Sequence, residues 1–136
     1  MNRTDGRARR LARLLLAVFY GVAGLLHLAL PQPFLRVTPP WVPAPELVVA
    51  LTGVAELLGA AGLAQDRSPT LRRAAGWGLA VYALCVWPAN FQHTALDLAQ
   101  PDHGLGLAYH LPRLAAQPLL IWLAAWAGGA AEPDAG

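Results

Sequence analysis

Four apolar stretches, at residues 14–30, 47–64, 74–91 and 111–129, constrain this chain more than anything else in it. Each holds 17 to 19 residues, close to the roughly 20 that a helix rising 1.5 Å per residue needs to cross the hydrocarbon of a bilayer. Only 13% of the 136 residues are charged and 56% are apolar, against about 25% charged in an ordinary soluble domain. A soluble core of this size has no room for so much apolar surface. The expectation is an all-α chain, a single domain over residues 1–136. It would fold as an integral membrane four-helix bundle with helices at about 12–30, 46–64, 72–91 and 110–129.

All ten basic residues are arginine. Five precede the first stretch (Arg3, Arg7, Arg9, Arg10, Arg13) and three lie in the turn after the second (Arg67, Arg72, Arg73), leaving Arg36 and Arg113 elsewhere. An excess of arginine marks the cytoplasmic side of membrane segments. Both termini and the 65–73 turn are therefore expected inside, in a multi-pass protein of the bacterial cytoplasmic (inner) membrane. Because the arginines cluster at the ends of apolar segments, they read as topology signals and not as a nucleic-acid footprint. The lipid bilayer is the expected partner. Residues 1–13 and the apolar run after them resemble a signal peptide, but no small-residue cleavage site follows, and the run is read as a retained helix.

The connections differ in character. Residues 31–45 hold six of the twelve prolines. Proline lacks the N–H and clashes with the preceding turn, so an extended, stiff outer loop is expected, with Phe34 and Trp41 against the interface. Residues 92–110 read as a longer outer loop with a short interfacial helix before Pro101. The acidic tail, residues 130–136, reads as disordered.

Polar side chains inside such spans need partners, because lipid offers none. Helical spacing puts Tyr20, Gly24 and His27 on one stripe of the first span, and Thr52, Glu56 and Gly59 on one stripe of the second. Ala80, Ala83, Trp87 and Asn90 share a face of the third, and His110, Arg113 and Gln117 a face of the fourth. These stripes should point inward. Glu56 is the deepest charged group, and Arg113 reaches in from the outer end of the last span. A buried Glu56–Arg113 pair is expected, with Gln117 and His27 as hydrogen-bonding neighbours. His27, Glu56, Asn90, Arg113 and Gln117 are thus the expected polar cluster or ligand site, with Tyr20 and Trp87 as apolar walls for a cofactor.

Other chemistries lack their motifs. The single cysteine, Cys85, cannot form an internal disulfide and reads as a small buried apolar residue. The four histidines, at 27, 93, 103 and 110, show no i, i+3 or i, i+4 spacing among themselves and no recognised zinc pattern, so no metal is expected. The chain carries no GxGxxG, P-loop, GxSxG or CxxC motif.

The segments GVAGLLHLALPQPF, VTPPWVPAPELVVALTGVAELLGAAGLA, WPANF and YHLPRLAAQPLLIW, in that order over residues 19–126, resemble the DoxX-like family of small bacterial membrane proteins. The resemblance implies a four-helix membrane bundle. The motif positions it carries over are His27, Pro40, Pro43, Gly53, Glu56, Pro88, Asn90, Arg113 and Gln117. It further implies a redox setting, since some relatives are subunits of a thiosulfate:quinone oxidoreductase and others accompany oxidative-stress proteins. The expected function is a quinone-linked or small-molecule-binding membrane subunit, with a redox partner protein or a homo-oligomer as its assembly. The alternative is a non-catalytic scaffold that recruits partners through the proline-rich loop. A transporter ranks third, because the chain has no paired broken repeats.

Overall fold

The computed structural model describes residues 3–129. Among them are five helices and no strand: α1 (Arg3–Ala29), α2 (Gln32–Val37), α3 (Pro45–Ala64), α4 (Pro69–Leu98) and α5 (Gly106–Gly128). The chain is all-α. Over Gly6–Ala29 and Pro45–Ala64 two of the helices are long and apolar enough to cross a membrane.

Helix ends follow from local chemistry. Ser68 caps α4 by accepting from the Leu71 N–H, and Pro69 opens the first turn, where its missing N–H costs nothing. Gly129 closes α5 in the left-handed conformation that glycine adopts freely. The proline-rich segment departs from the extended loop expected of it, because α2 occupies its first half. Pro31 and Pro33 fall at the start of that helix, where proline is tolerated, and Thr38 turns extended ahead of Pro39.

A second difference is the length of α4. It continues unbroken through residues 92–98, expected as part of a loop with a separate short helix before Pro101, and ends at Ala99 just before Gln100 and Pro101. Pro88 lies inside it. The ring removes one hydrogen bond, to the Leu84 carbonyl, without ending the helix, and residues 92–98 contain no further breaker.

The four long helices run antiparallel in sequence order. Gly24 of α1 approaches Gly53 of α3 and Gly21 approaches Ala60, while Arg13 reaches Gln65. In the same sense Gly62 meets Ala75 and Gly59 meets Leu79 across α3 and α4, and Gly76 meets Gly128 across α4 and α5. At two crossings glycine brings one helix against the backbone of the next. A Cβ on Gly24 would stand 2.7 Å from the Gly53 carbonyl oxygen, and one on Gly76 would stand 2.7 Å from the Ala124 carbonyl oxygen. Small residues let helix backbones pack closely in this way. The core between the pairs is built from Leu16, Ala17, Tyr20, Ala60, Leu63, Leu79, Ala80, Ala124 and Ala127.

One end of the bundle is held by charge. Arg13, 5% exposed, donates to Asp66 at 2.5 Å and to the Gln65 carbonyl at 3.3 Å. Arg10 and Arg72 stand 3.6 Å from the same carboxylate. Arg13 and its neighbours hold the Asp66 carboxyl below its ordinary value of 3.8. A lowered carboxyl pKa contributes stability above pH 3.8, and that contribution is lost as pH falls through the folded value. Thermal scans in detergent from pH 6 to pH 2.5 should therefore show a declining midpoint at the acid end, and the decline should be shallower in Asp66→Asn.

Cys85 was expected to be buried and is exposed instead. Leu79, Ala80 and Ala83 take the inward face of α4, which leaves Val81, Leu84 and Cys85 outside. The acidic tail lies outside the described residues.

Candidate functional site

The middle of the molecule holds a carboxylate with almost no access to solvent. Glu56, 3% exposed, accepts the Tyr82 hydroxyl on Oε1 at 2.7 Å. Its other oxygen, Oε2, lies 2.8 Å from His27 Nδ1. The crossing of α1 and α3 explains the meeting. Side chains on a helix lean towards its N-terminus. The two helices are antiparallel, so His27, three residues after Gly24, and Glu56, three after Gly53, lean towards one another across the glycine contact. A side chain at position 53 would strike the His27 Cβ at 2.9 Å.

His27 is fixed from three sides. Its Nδ1–H donates to the Ala23 carbonyl at 2.9 Å, and its ring stacks on Phe34 of α2 with centroids 3.7 Å apart. Because that N–H is aligned with Ala23, Glu56 Oε2 is in close polar contact with the imidazole yet is a buried oxygen with no hydrogen-bond donor of its own. Tyr20 packs edge-on against Tyr82, ring centroids 6.1 Å apart, and its hydroxyl is likewise buried and unpartnered. Two orphaned acceptor-capable oxygens therefore sit in one polar centre. Buried polar groups are rarely left so without a functional or solvent partner.

An apolar groove of about 280 Å³ runs beside this centre between α3 and α4. Ala55, Gly59 and Gly78 form part of its wall, with Leu58 and Leu79, and Tyr82 closes it near Glu56. The groove exists because glycine and alanine occupy the facing positions.

The remaining expected residues lie elsewhere. Arg113 does not pair with Glu56. Its Nη1 donates to His93 Nδ1 at 2.8 Å, and its guanidinium lies over the Tyr109 ring, 5.8 Å from the centroid. The reason is packing order: α5 lies mainly against α4, so the inward face of its first turns meets α4 and not α3. Gln117, 6% exposed, donates to the Ala83 carbonyl at 2.9 Å and ties α5 to α4. Asn90 makes no side-chain hydrogen bond among the described residues; its carbonyl accepts from the Thr94 hydroxyl at 2.9 Å. Trp87 packs against Phe91, and its indole N–H is buried without a partner.

Two site residues escaped the sequence reading. Tyr82 was missed because it lies off the stripe of small residues on α4, and its place against α3 follows from packing alone. Phe34 was placed at the interface because its segment was read as a loop.

A second polar group sits where α4 ends. His110, fully buried, lies with Nε2 2.9 Å from Asp97 Oδ2. The Leu105 N–H donates to the same oxygen at 3.1 Å, and His93 Nε2 is 3.6 Å away. Gly104, at φ +52, lets the connecting loop close on Asp97: a Cβ there would stand 2.6 Å from the carboxyl carbon. The His110 hydrogen bond, then that of Leu105, holds the Asp97 carboxyl below its usual value. Burial, and then the Arg113 charge, holds the His93 imidazole below its own.

A family described as a domain of unknown function (DUF8561) matches residues 16–128. No curated protein and no solved structure matches the chain. With the match running from the first turns that build the core on α1 to the end of α5, the chain belongs to the DUF8561 family.

Proposed function

We propose that this protein is a DoxX-like integral membrane protein of the bacterial cytoplasmic membrane. Its four long helices span the bilayer with both ends inside, and it binds a quinone-like small molecule in the α3/α4 groove. The observation that carries the reading is the buried Glu56 carboxylate, joined to Tyr82 at the wall of an apolar groove.

Support for lipid as the surrounding medium comes from an inverted distribution of polarity. Glu56, Gln117, His110 and Arg13 are buried, while Leu15, Val18, Leu51, Leu58, Val81, Leu119 and Trp122 are each more than half exposed. A soluble monomer rarely exposes apolar surface on every long helix. The arginine-rich start of α1 and the 65–68 turn meet at one end, in line with a shared cytoplasmic side.

The groove fits a quinone ring. It is apolar and partly lined by small residues, just below the roughly 300–1,000 Å³ of ligand pockets, with Tyr82 in its wall. A bound quinone supplies two-electron, two-proton chemistry, with electrons from a partner protein. This chain's residues handle the protons. Tyr82 lines the groove with its own proton on Glu56 Oε1, so its oxygen would accept the O–H of a bound quinol while its proton passes to Glu56. Glu56 Oε2 lies 2.8 Å from His27 Nδ1, so a proton would pass between them once the Nδ1–H leaves the Ala23 carbonyl.

The test is binding of ubiquinone and menaquinone analogues to the purified protein in micelles. Saturable binding is expected, and in Tyr82→Phe the quinol form, which alone can donate to the Tyr82 oxygen, should bind about tenfold more weakly, the equivalent of one hydrogen bond of about 1.4 kcal/mol. Gly78 is a useful second site, since a Cβ there meets nothing within 4 Å. Gly78→Leu should fill the groove, abolish binding and leave the fold intact. Failure of the wild-type protein to bind any analogue saturably refutes the proposal.

A scaffold role is favoured by one observation: Trp41, 70% exposed, stands on the proline-rich segment with no core contact. In that case Trp41→Ala would lose a co-purifying partner in mild detergent, and Gly78→Leu would not.

A further inference from the structure

We infer that His93, Asp97 and His110 form a binding site for a divalent transition-metal ion of the zinc type, at the end of the bundle opposite the Arg13–Asp66 contact. The inference is independent of the quinone reading, since none of the three residues touches Glu56 or the groove.

The case begins with convergence. His93 and Asp97 are four apart on α4 and share a face, and His110 comes from the first turns of α5. One ligand atom from each lies within 4.8 Å of the other two. A tetrahedral zinc ion with bonds of about 2.0–2.1 Å separates its ligand atoms by about 3.3 Å. The two measured edges from Asp97 Oδ2, 2.9 Å to His110 and 3.6 Å to His93, fall on either side of that value.

Arg113 holds His93 Nδ1 and so turns Nε2 towards Asp97, but at 3.6 Å that approach is too long for a hydrogen bond and leaves Nε2 without a partner of its own. His110 Nδ1 is buried and has no partner, so the contacts within the cluster do not satisfy that ring either. Two imidazoles and one carboxylate match the ligand preference of zinc, with copper and nickel as competitors. Three protein ligands leave a fourth position open, and the partly exposed His93 leads to it.

Arg113 makes the inference specific. Its N–H bond to His93 Nδ1 puts the ring proton on Nε2, the nitrogen that faces Asp97. Ligation through Nε2 moves that proton to Nδ1, where it confronts the Arg113 donor. The guanidinium must then swing away, so Arg113 competes with the metal for the state of His93.

The test uses full-length protein in micelles, stripped with chelator and titrated with zinc by calorimetry, with cobalt as a spectroscopic probe. One ion per chain is expected, with a cobalt visible band of a low-coordinate nitrogen–oxygen site. His93→Ala should weaken zinc at least about tenfold and abolish the band. Asp97 keeps His110 and Leu105 in that variant, so the fold is retained, and the lost Arg113 contact should lower its melting temperature without metal only modestly. Added zinc should raise the melting temperature of the wild type alone. Arg113→Gln should bind zinc more tightly than wild type. Absence of saturable binding in the wild type, or equal zinc affinity in wild type and His93→Ala, would overturn the site. Unchanged or weaker affinity in Arg113→Gln would overturn ligation through His93 Nε2.

Discussion

Glu56→Ala should destabilise the protein by about 3 kcal/mol or more, measured by unfolding in mixed micelles with increasing denaturing detergent. The substitution removes the acceptor of the Tyr82 hydroxyl and the carboxylate beside His27 at once. Breaking a buried charged contact from one side costs roughly 3–5 kcal/mol, because the groups left behind remain buried without partners. Tyr82→Phe is the smaller change. It deletes one donor while His27 stays beside the carboxylate, and a loss of about 1–2 kcal/mol is expected. A double variant should lose less than the sum of the two, since once Glu56 is gone the Tyr82 hydroxyl has nothing to donate to. Equal stability of Glu56→Ala and wild type would mean that the contact is not formed.

Gly76→Val should cost about 3 kcal/mol, the upper range for forcing atoms into a filled crossing. A Cβ at this position would meet the Ala124 carbonyl oxygen at 2.7 Å and the Gly128 Cα at 2.8 Å. Both are backbone atoms and cannot rotate aside, so α4 and α5 must separate. Gly78, one turn-half away on the same helix, is the control. Its Cβ would meet open space, and Gly78→Ala should be neutral or stabilising by about 0.5–1 kcal/mol, because glycine weakens a helix interior. The contrast between two glycines two residues apart reads the crossing directly.

The all-α class was legible in the sequence because four apolar runs admit little else. The start of α3 and the end of α5 were close to expectation for the same reason. The ends of α4 and the existence of α2 were not, because proline has no single meaning. At Pro31 and Pro33 it opens a helix, at Pro88 it sits inside one, and at Pro39 and Pro101 it follows an end. Tertiary packing chose among these, and a single sequence does not display it.

The candidate site was legible by halves. Helical spacing brought Tyr20, His27 and Glu56 to inward stripes, where the structure has them in one centre. Which helices adjoin was not encoded in spacing. Arg113 was matched to Glu56 on depth and charge alone, whereas the order of packing gives it to His93. No spacing among the histidines marks the His93–Asp97–His110 group. The i, i+4 relation that matters joins a histidine to an aspartate.

The length of α4 divides the molecule's surroundings. Thirty residues at 1.5 Å each make a rod of about 45 Å, against roughly 30 Å of hydrocarbon. In the membrane placement proposed above, its final turns stand clear of the acyl chains. Whatever reaches His93 must arrive dissolved in water, and whatever enters the α3/α4 groove must arrive dissolved in fat. One helix thus touches two supply routes that do not mix.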